Sequence, residues 1–248
     1  MKRIRLVVAY DGTAYHGWQI QSQAPTIESQ LNEGLSLLLG EPIRVIGASR
    51  TDAGVHALGN IAVFDTQTRI PAPKIAYALN ARLPQDIRIV RSEEVPGDWH
   101  PRRVRARKTY AYRILCAPFP DPMRRLYTLH FPGVLVYEAM QEALQALVGE
   151  HDFASFCKMV PTLDPPQSTI RTIYWTQLEQ QNDELIMKIC GNGFLYNMVR
   201  IIAGTVLDIG CGRRKEESIH TILGARNRAS AGPTAPAHAL TLIGYDFD

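Results

Sequence analysis

The sequence predicts an α+β protein made of two pseudo-repeated β-α-β-β-α-β lobes that form a mixed central sheet with a cleft between them. Three observations carry this. Short apolar runs bounded by Gly, Pro and Asp read as strands, and between them lie stretches with apolar residues at helical spacing. The same order of elements occurs twice along the chain. Joining the two sheets edge to edge would remove two exposed edges and leave a cleft. The junction is expected near residues 98–107, giving an N-terminal lobe over 1–105 and a C-terminal lobe over 106–248.

In the first half, Ile4 to Ala9 reads as a strand that ends at the turn signal Tyr10-Asp11-Gly12-Thr13. Tyr15-His16-Gly17-Trp18-Gln19 follows, too irregular for a strand or helix. Ile27, Leu31, Leu35 and Leu38 recur at helical spacing, with Thr26 as N-cap and Gly40 as stop. Strands are expected at Ile43 to Ala48 and Asn60 to Asp65. A helix from Pro73 to Arg82 and a strand beginning at Ile87 complete the lobe.

The second half repeats the order. Thr109 to Cys116 is a strand, and Val136 to Val148 a helix stopped by Gly149. Phe153 to Gln167 carries three prolines and no period, and reads as a loop. Strands at Ile170 to Leu178 and Leu185 to Cys190 lead to a long helix from Phe194 to Ile209. A short helix near Glu216 to Leu223 and a last strand, Leu240 to Phe247, end the chain.

The composition is ordinary for a globular protein, with 46% hydrophobic and 21% charged residues. No apolar run approaches a membrane span, and Met1-Lys2-Arg3 leads straight into a strand, so neither a signal peptide nor a membrane anchor is expected. Four scattered cysteines without a C-x-x-C pair point to reduced cytoplasmic thiols and away from zinc. The formal net charge of +3 is mild, but its distribution is uneven. Trp99 to Arg113 holds Arg102, Arg103, Arg105, Arg107, Lys108 and Arg113, no acid, and the aromatic residues Trp99, His100, Tyr110 and Tyr112. Such a run is either a solvated basic face or a surface where cations meet phosphates and rings meet bases.

The connection Gly47-Ala48-Ser49-Arg50-Thr51-Asp52-Ala53-Gly54-Val55-His56 is longer than a tight turn. It sets Arg50, Asp52 and His56 among small residues, which let a ligand approach the backbone closely. Arg-x-Asp is either a solvated ion pair or a site in which Asp52 acts as nucleophile, base or metal ligand. From the second half, Arg200 is its best candidate partner, because it lies in a helix apolar nearly all round, where an Arg is rare unless paired. Tyr110 and Tyr112 share one strand face, either as packing residues or as a platform for a base. No Walker loop, nicotinamide fingerprint, G-x-S-x-G elbow or His-rich metal pattern is present.

The chain resembles the tRNA pseudouridine synthase A family. The resemblance rests on Tyr10-Asp11-Gly12-Thr13 with Gly17-Trp18-Gln19, on Arg50-Thr51-Asp52-Ala53-Gly54-Val55-His56-Ala57 and on Lys108-x-Tyr110-x-Tyr112. It continues through Asp152-Phe153-x-Ser155-Phe156, Gly193-Phe194-Leu195-x-x-Met198-Val199-Arg200 and Gly232-Pro233-Thr234-Ala235-Pro236-Ala237. These blocks run in family order over essentially the whole chain, and the Arg-Thr-Asp-Ala-Gly-Val-His block is highly specific. Ser49 stands where the family usually has Gly, Asn60 where Gln is common, and Ala239 where Gly is usual. The resemblance implies isomerisation of uridine to pseudouridine in the anticodon stem-loop of tRNA, without metal or organic cofactor, by a homodimer. It implies Asp52 as the essential carboxylate, Arg200 as its partner, Arg50 as the base-flipping residue and Tyr110 against the uracil. Trp99, His100, Arg102, Arg103, Arg105, Arg107, Lys108 and His56 would contact RNA. A catalytically silent RNA-binding module is the rival reading. An Asp-based hydrolase is a third, disfavoured because such enzymes use a second carboxylate or a metal.

Overall fold

The computed structural model describes residues 1–158, 168–215 and 218–247. They divide into two compact units, Met1–Ala106 with Thr241–Asp248, and Arg107–Leu240. The C-terminal strand, assigned from sequence to the second lobe, thus groups with the first.

In the first unit, β1 (Lys2–Tyr10) lies between β4 (Ile87–Val95) and β3 (His56–Thr66), antiparallel to both. β10 (Leu240–Phe247) runs parallel to β3, pairing Thr241 with His56 and Leu242 with Ala57. Alternate residues of β1, Ile4, Leu6 and Val8, are fully buried. They belong to one core with Ile27, Leu31 and Leu35 of α1 (Ile27–Leu39) and with Ile75 and Leu79 of α2 (Ala72–Asn80). This is the period-two and period-3.6 patterning expected of strands backed by helices. α1 is bounded as its sequence predicts: Thr26 and Ser29 form a capping box, and Gly40 takes the left-handed conformation at φ 68°.

The strand expected at Ile43 to Ala48 shrinks to β2 (Ile46–Gly47). The reason lies in α1, whose side chains replace a neighbouring strand: Ser36 Oγ accepts from Ile43 N–H (2.9 Å) and Asn32 Oδ1 from Val45 N–H (2.8 Å). β3 begins four residues before its expected start, which places His56 on the strand instead of the loop.

The second unit carries the order β5 (Ala106–Leu115), β9 (Glu184–Gly191), β8 (Ile170–Gln181), β7 (Gly149–Asp152), antiparallel throughout. A short β6 (Leu129–His130) lies parallel to β5. Both units therefore hold a mixed sheet, and the α+β class stands. The helices are α3 (Tyr137–Gln145), α4 (Met198–Gly210) and α5 (Ser218–Ala225). Gly149 does not stop α3, which ends at Gln145; at φ +118° it opens β7. α4 starts four residues later than expected because Asn197 is left-handed, at φ 61°. Of the predicted 153–167 loop, Ala154–Phe156 forms a 3-10 turn and 159–167 lies outside the described residues, as do 216–217 of the predicted short helix. Among the described residues no helix is long and apolar enough to cross a membrane.

Candidate active site

The 48–55 segment has no regular structure, and its backbone is held from three sides. Ala48 N–H donates to Ile61 O (2.8 Å), Trp18 N–H to Thr51 O (3.0 Å) and Gly54 N–H to Tyr15 O (3.3 Å). Val55 N–H closes a turn on Asp52 O (3.2 Å), with Gly54 at φ +76°, a conformation that favours glycine. The 10–19 segment packs against this loop backbone to backbone, which explains two glycines of the Tyr-Asp-Gly-Thr…Gly-Trp-Gln block. A Cβ on Gly12 would stand 2.1 Å from Val55 O, and one on Gly17 2.5 Å from Thr51 O.

Burial alternates along the loop. Ser49 (8% exposed) and Thr51 (7%) are buried, Arg50 is exposed and Asp52 half-buried. In extended chain, neighbouring side chains leave on opposite sides, so anchoring 49 and 51 inward turns Arg50 and Asp52 outward. The Thr51 hydroxyl lies 2.8 Å from Tyr10 OH. His56 is only 4% exposed, and its Nδ1 lies 3.0 Å from Gly12 N and 3.1 Å from Asp11 Oδ1. The ring thus pins the Asp11-Gly12 turn from beneath. In the tautomer that accepts from Gly12 N–H, Nδ1 carries no proton.

The basic segment is fastened to the same unit. Trp99 packs edge-on to Phe247 (5.6 Å), and the Arg5 guanidinium sits 5.2 Å from each of these two rings while pairing with Glu93. Arg3 Nη1 donates to Trp99 O (3.0 Å). Arg102 Nε donates to Gly47 O (2.8 Å), at the root of the Arg50–Asp52 loop. Burial, reinforced by the neighbouring Arg50 cation, lowers the Arg102 pKa. His100 Nδ1 accepts from Arg102 N–H (3.2 Å), and its pKa is held below 6.5 by burial and then by Arg103, Arg102 and Arg3. Arg103 and Arg105 are exposed. The sequence reading missed the clasp of Arg5, Trp99 and Phe247, whose members lie in three distant stretches.

In the second unit, Tyr110 on β5 is 8% exposed and meets Phe194 edge-on at 5.2 Å. Arg107 is exposed, its guanidinium 5.1 Å from the Tyr174 ring centre, and Lys108 is half-buried. Tyr112, 1% exposed, donates to Pro236 O (3.1 Å), and burial raises its pKa, with Arg200 pulling the other way. Arg200 is half-buried, not enclosed in the core as the apolar helix around it predicts. Its Nε donates to Ala235 O (2.8 Å) and its Nη1 to Asn197 Oδ1 (2.8 Å). These two bonds explain blocks whose purpose is invisible in sequence. The left-handed Asn197 brings its amide to Arg200. Gly232-Pro233-Thr234-Ala235 clasps α4: Gly232 N–H donates to Thr205 Oγ1 (2.9 Å), and Ala235 N–H to Arg200 O (3.1 Å).

The structure thus brings Arg50, Asp52, His56, Trp99, His100, Arg102 and Arg103 into one unit, and fixes Tyr110 and Arg200 within the other. Comparison with known proteins agrees with the motifs. A family model described as tRNA pseudouridine synthase matches residues 6–102 and 143–248. Relatives named tRNA pseudouridine synthase A include that of Halalkalibacterium halodurans, 47% identical over 241 residues, covering 97% of this chain and 90% of the relative. Those of Thermoanaerobacter sp. (strain X514) and Anoxybacillus flavithermus are each 44% identical, the first covering 98% of both chains and the second 100%. Among solved structures, an archaeal box H/ACA sRNP Nop10-Cbf5 complex aligns with a TM-score of 0.35 at 11% identity, over 92% of this chain and 59% of that one, too low to carry a structural argument. With a segment packed through two glycines against an Arg-Thr-Asp loop, a clasped Arg200 and relatives this similar over nearly their whole length, the chain belongs to the tRNA pseudouridine synthase family.

Proposed function

We propose that the protein isomerises uridine to pseudouridine on the 3′ side of the tRNA anticodon stem-loop, with Asp52 as the essential carboxylate. Pseudouridine formation in tRNA follows from the family; the stem-loop and the residue roles are the added reading. The observation that supports it is the bond from Arg102 to Gly47 O, which ties the basic segment to the root of the Arg-Thr-Asp loop. In the reaction the N1–C1′ bond breaks, the base turns, and C5–C1′ forms. A proton leaves C5 and one is gained at N1, so atoms and charge balance without a redox partner. Asp52 attacks either the ribose or the uracil ring. The target base leaves its stack, which costs a few kcal/mol, and the exposed Arg50 fills the vacated space. By the family resemblance, Tyr110 packs against the uracil and Arg200 is the charge partner of Asp52. Arg102, Arg103, Arg105, Arg107 and Lys108 hold phosphates, with Trp99 and His100 at the start of the same segment. No metal or organic cofactor enters the scheme. The working enzyme is a cytoplasmic homodimer, to be tested by sedimentation equilibrium, where a monomer at all concentrations overturns it.

The deciding experiment incubates the protein with an unmodified tRNA transcript and maps pseudouridine by chemical labelling. Pseudouridine in the anticodon arm, lost on Asp52→Asn with tRNA still bound, is expected. Tight binding without product would leave a silent RNA-binding module.

A further inference from the structure

Beneath the Arg50–Asp52 loop lies a buried polar cluster that none of the assigned roles uses. The Tyr245 hydroxyl, on β10, stands 2.6 Å from Ser49 Oγ and 3.1 Å from Asn60 Oδ1. Asn60 is fully buried on β3, and its Nδ2 donates to Ser49 O (3.0 Å) and to Tyr10 OH (3.2 Å). Tyr10 in turn meets the Thr51 hydroxyl at 2.8 Å. One phenolic proton cannot serve two acceptors, so when Tyr245 donates to the amide oxygen, the Ser49 hydroxyl donates back to Tyr245. Every polar side chain of the cluster is then satisfied, as burial requires. The two family departures inside this cluster, Ser49 and Asn60, meet at a single tyrosine.

We infer that Tyr245, through Ser49, is a positioning residue that sets the direction in which Arg50 and Asp52 leave the loop. The geometry is specific to the flanking anchors: residues 49 and 51 are held inward by this cluster, and residues 50 and 52 are the ones turned out. Loss of the Tyr245–Ser49 bond removes the side-chain anchor one residue before Arg50 and leaves Asn60 alone holding the Ser49 backbone, and small displacements of a reacting group are costly in rate. In this role Tyr245 acts through the loop, and the inference rests on the reading of Asp52 as the catalytic carboxylate.

A double-mutant cycle on Tyr245→Phe and Ser49→Ala tests it, with unmodified tRNA transcript as substrate and excess enzyme for single turnovers. Each single variant is expected to slow the chemical step roughly three- to tenfold, the size of one net hydrogen bond. The tRNA Kd should stay within about twofold, and the double variant should be no slower than the worse single one, because both remove the same interaction. Unchanged rates, additive losses, or a slowing that merely follows the unfolded fraction in thermal melts would overturn the assignment. Asp52→Asn runs in parallel. If it is inactive while Tyr245→Phe is normal, only the positioning role falls; if it is active, the catalytic reading of the loop falls and the positioning role with it.

Discussion

Asp52 is half-buried on a loop whose neighbours are anchored, so replacing its charge while keeping its shape isolates the chemistry. Asp52→Asn should leave melting and tRNA binding near wild type and abolish turnover; residual activity within about tenfold, a barrier change of about 1.4 kcal/mol, would remove the nucleophile assignment. Arg200 behaves differently, because its guanidinium spans Ala235 O and Asn197 Oδ1. Arg200→Met should lower stability by about 1–3 kcal/mol, two charged hydrogen bonds discounted for half-exposure, and activity with it. Arg200→Lys keeps the charge but not the fork, so a lysine variant with full stability would show that the two bonds are dispensable. His100 supplies a pH signature. Its folded-state pKa lies below 6.5, so the unfolded chain takes up the proton first. The stability from this group is therefore whole above about pH 6.5 and is lost as pH falls from there toward the lowered folded value. An NMR titration of the free protein should place the His100 midpoint below 6.5; a midpoint at or above 6.5 would mean the ring is solvated.

At the level of elements, the basic segment makes two kinds of contact. Both arginines are exposed on the same turn, but Arg102 is also bonded to Gly47 O at the root of the loop. Arg103→Ala should flatten the log–log salt dependence of tRNA binding by about 0.7–0.9 and leave single-turnover rates alone. Arg102→Ala should do both, flatten the slope and slow the reaction; equal rates in the two variants would separate the segment from the loop. Much of this architecture is legible in sequence where local chemistry decides it: α1 is bounded by Thr26 and Gly40 as its caps demand, and β10 runs as its apolar pattern reads. What was not legible depends on distant partners. The 43–45 stretch looks like strand, yet its amides are taken by Ser36 and Asn32. α4 looks four residues longer, yet a left-handed Asn197 cuts it to serve Arg200. In the candidate site, the specific motif was visible, but the packing of Gly12 and Gly17 on its backbone, the Trp99 clasp and the Tyr245 cluster join residues far apart along the chain.

Across the whole molecule the chain closes on its beginning: residues 241–248 return to the unit formed by residues 1–106. β10 is the parallel neighbour of β3, and it carries the fully buried Leu242, Tyr245 of the polar cluster and Phe247 of the Trp99 clasp. The first unit is therefore incomplete without residues 241–247, although most of its sequence lies before residue 107. Leu242→Ala should cost about 2–5 kcal/mol, as for a buried leucine elsewhere. Deleting 241–248 should cost more, because it also strips hydrogen-bond partners from β3 and opens a strand edge to aggregation. Hydrogen exchange locates the damage: amides of β1 and β3 should lose protection in the truncated protein, while those of β8 and β9, in the unit ending at Leu240, keep theirs. Equal loss in both units would mean that they unfold together, and full protection of β3 would mean that β10 contributes nothing to holding the sheet that carries the Arg50–Asp52 loop.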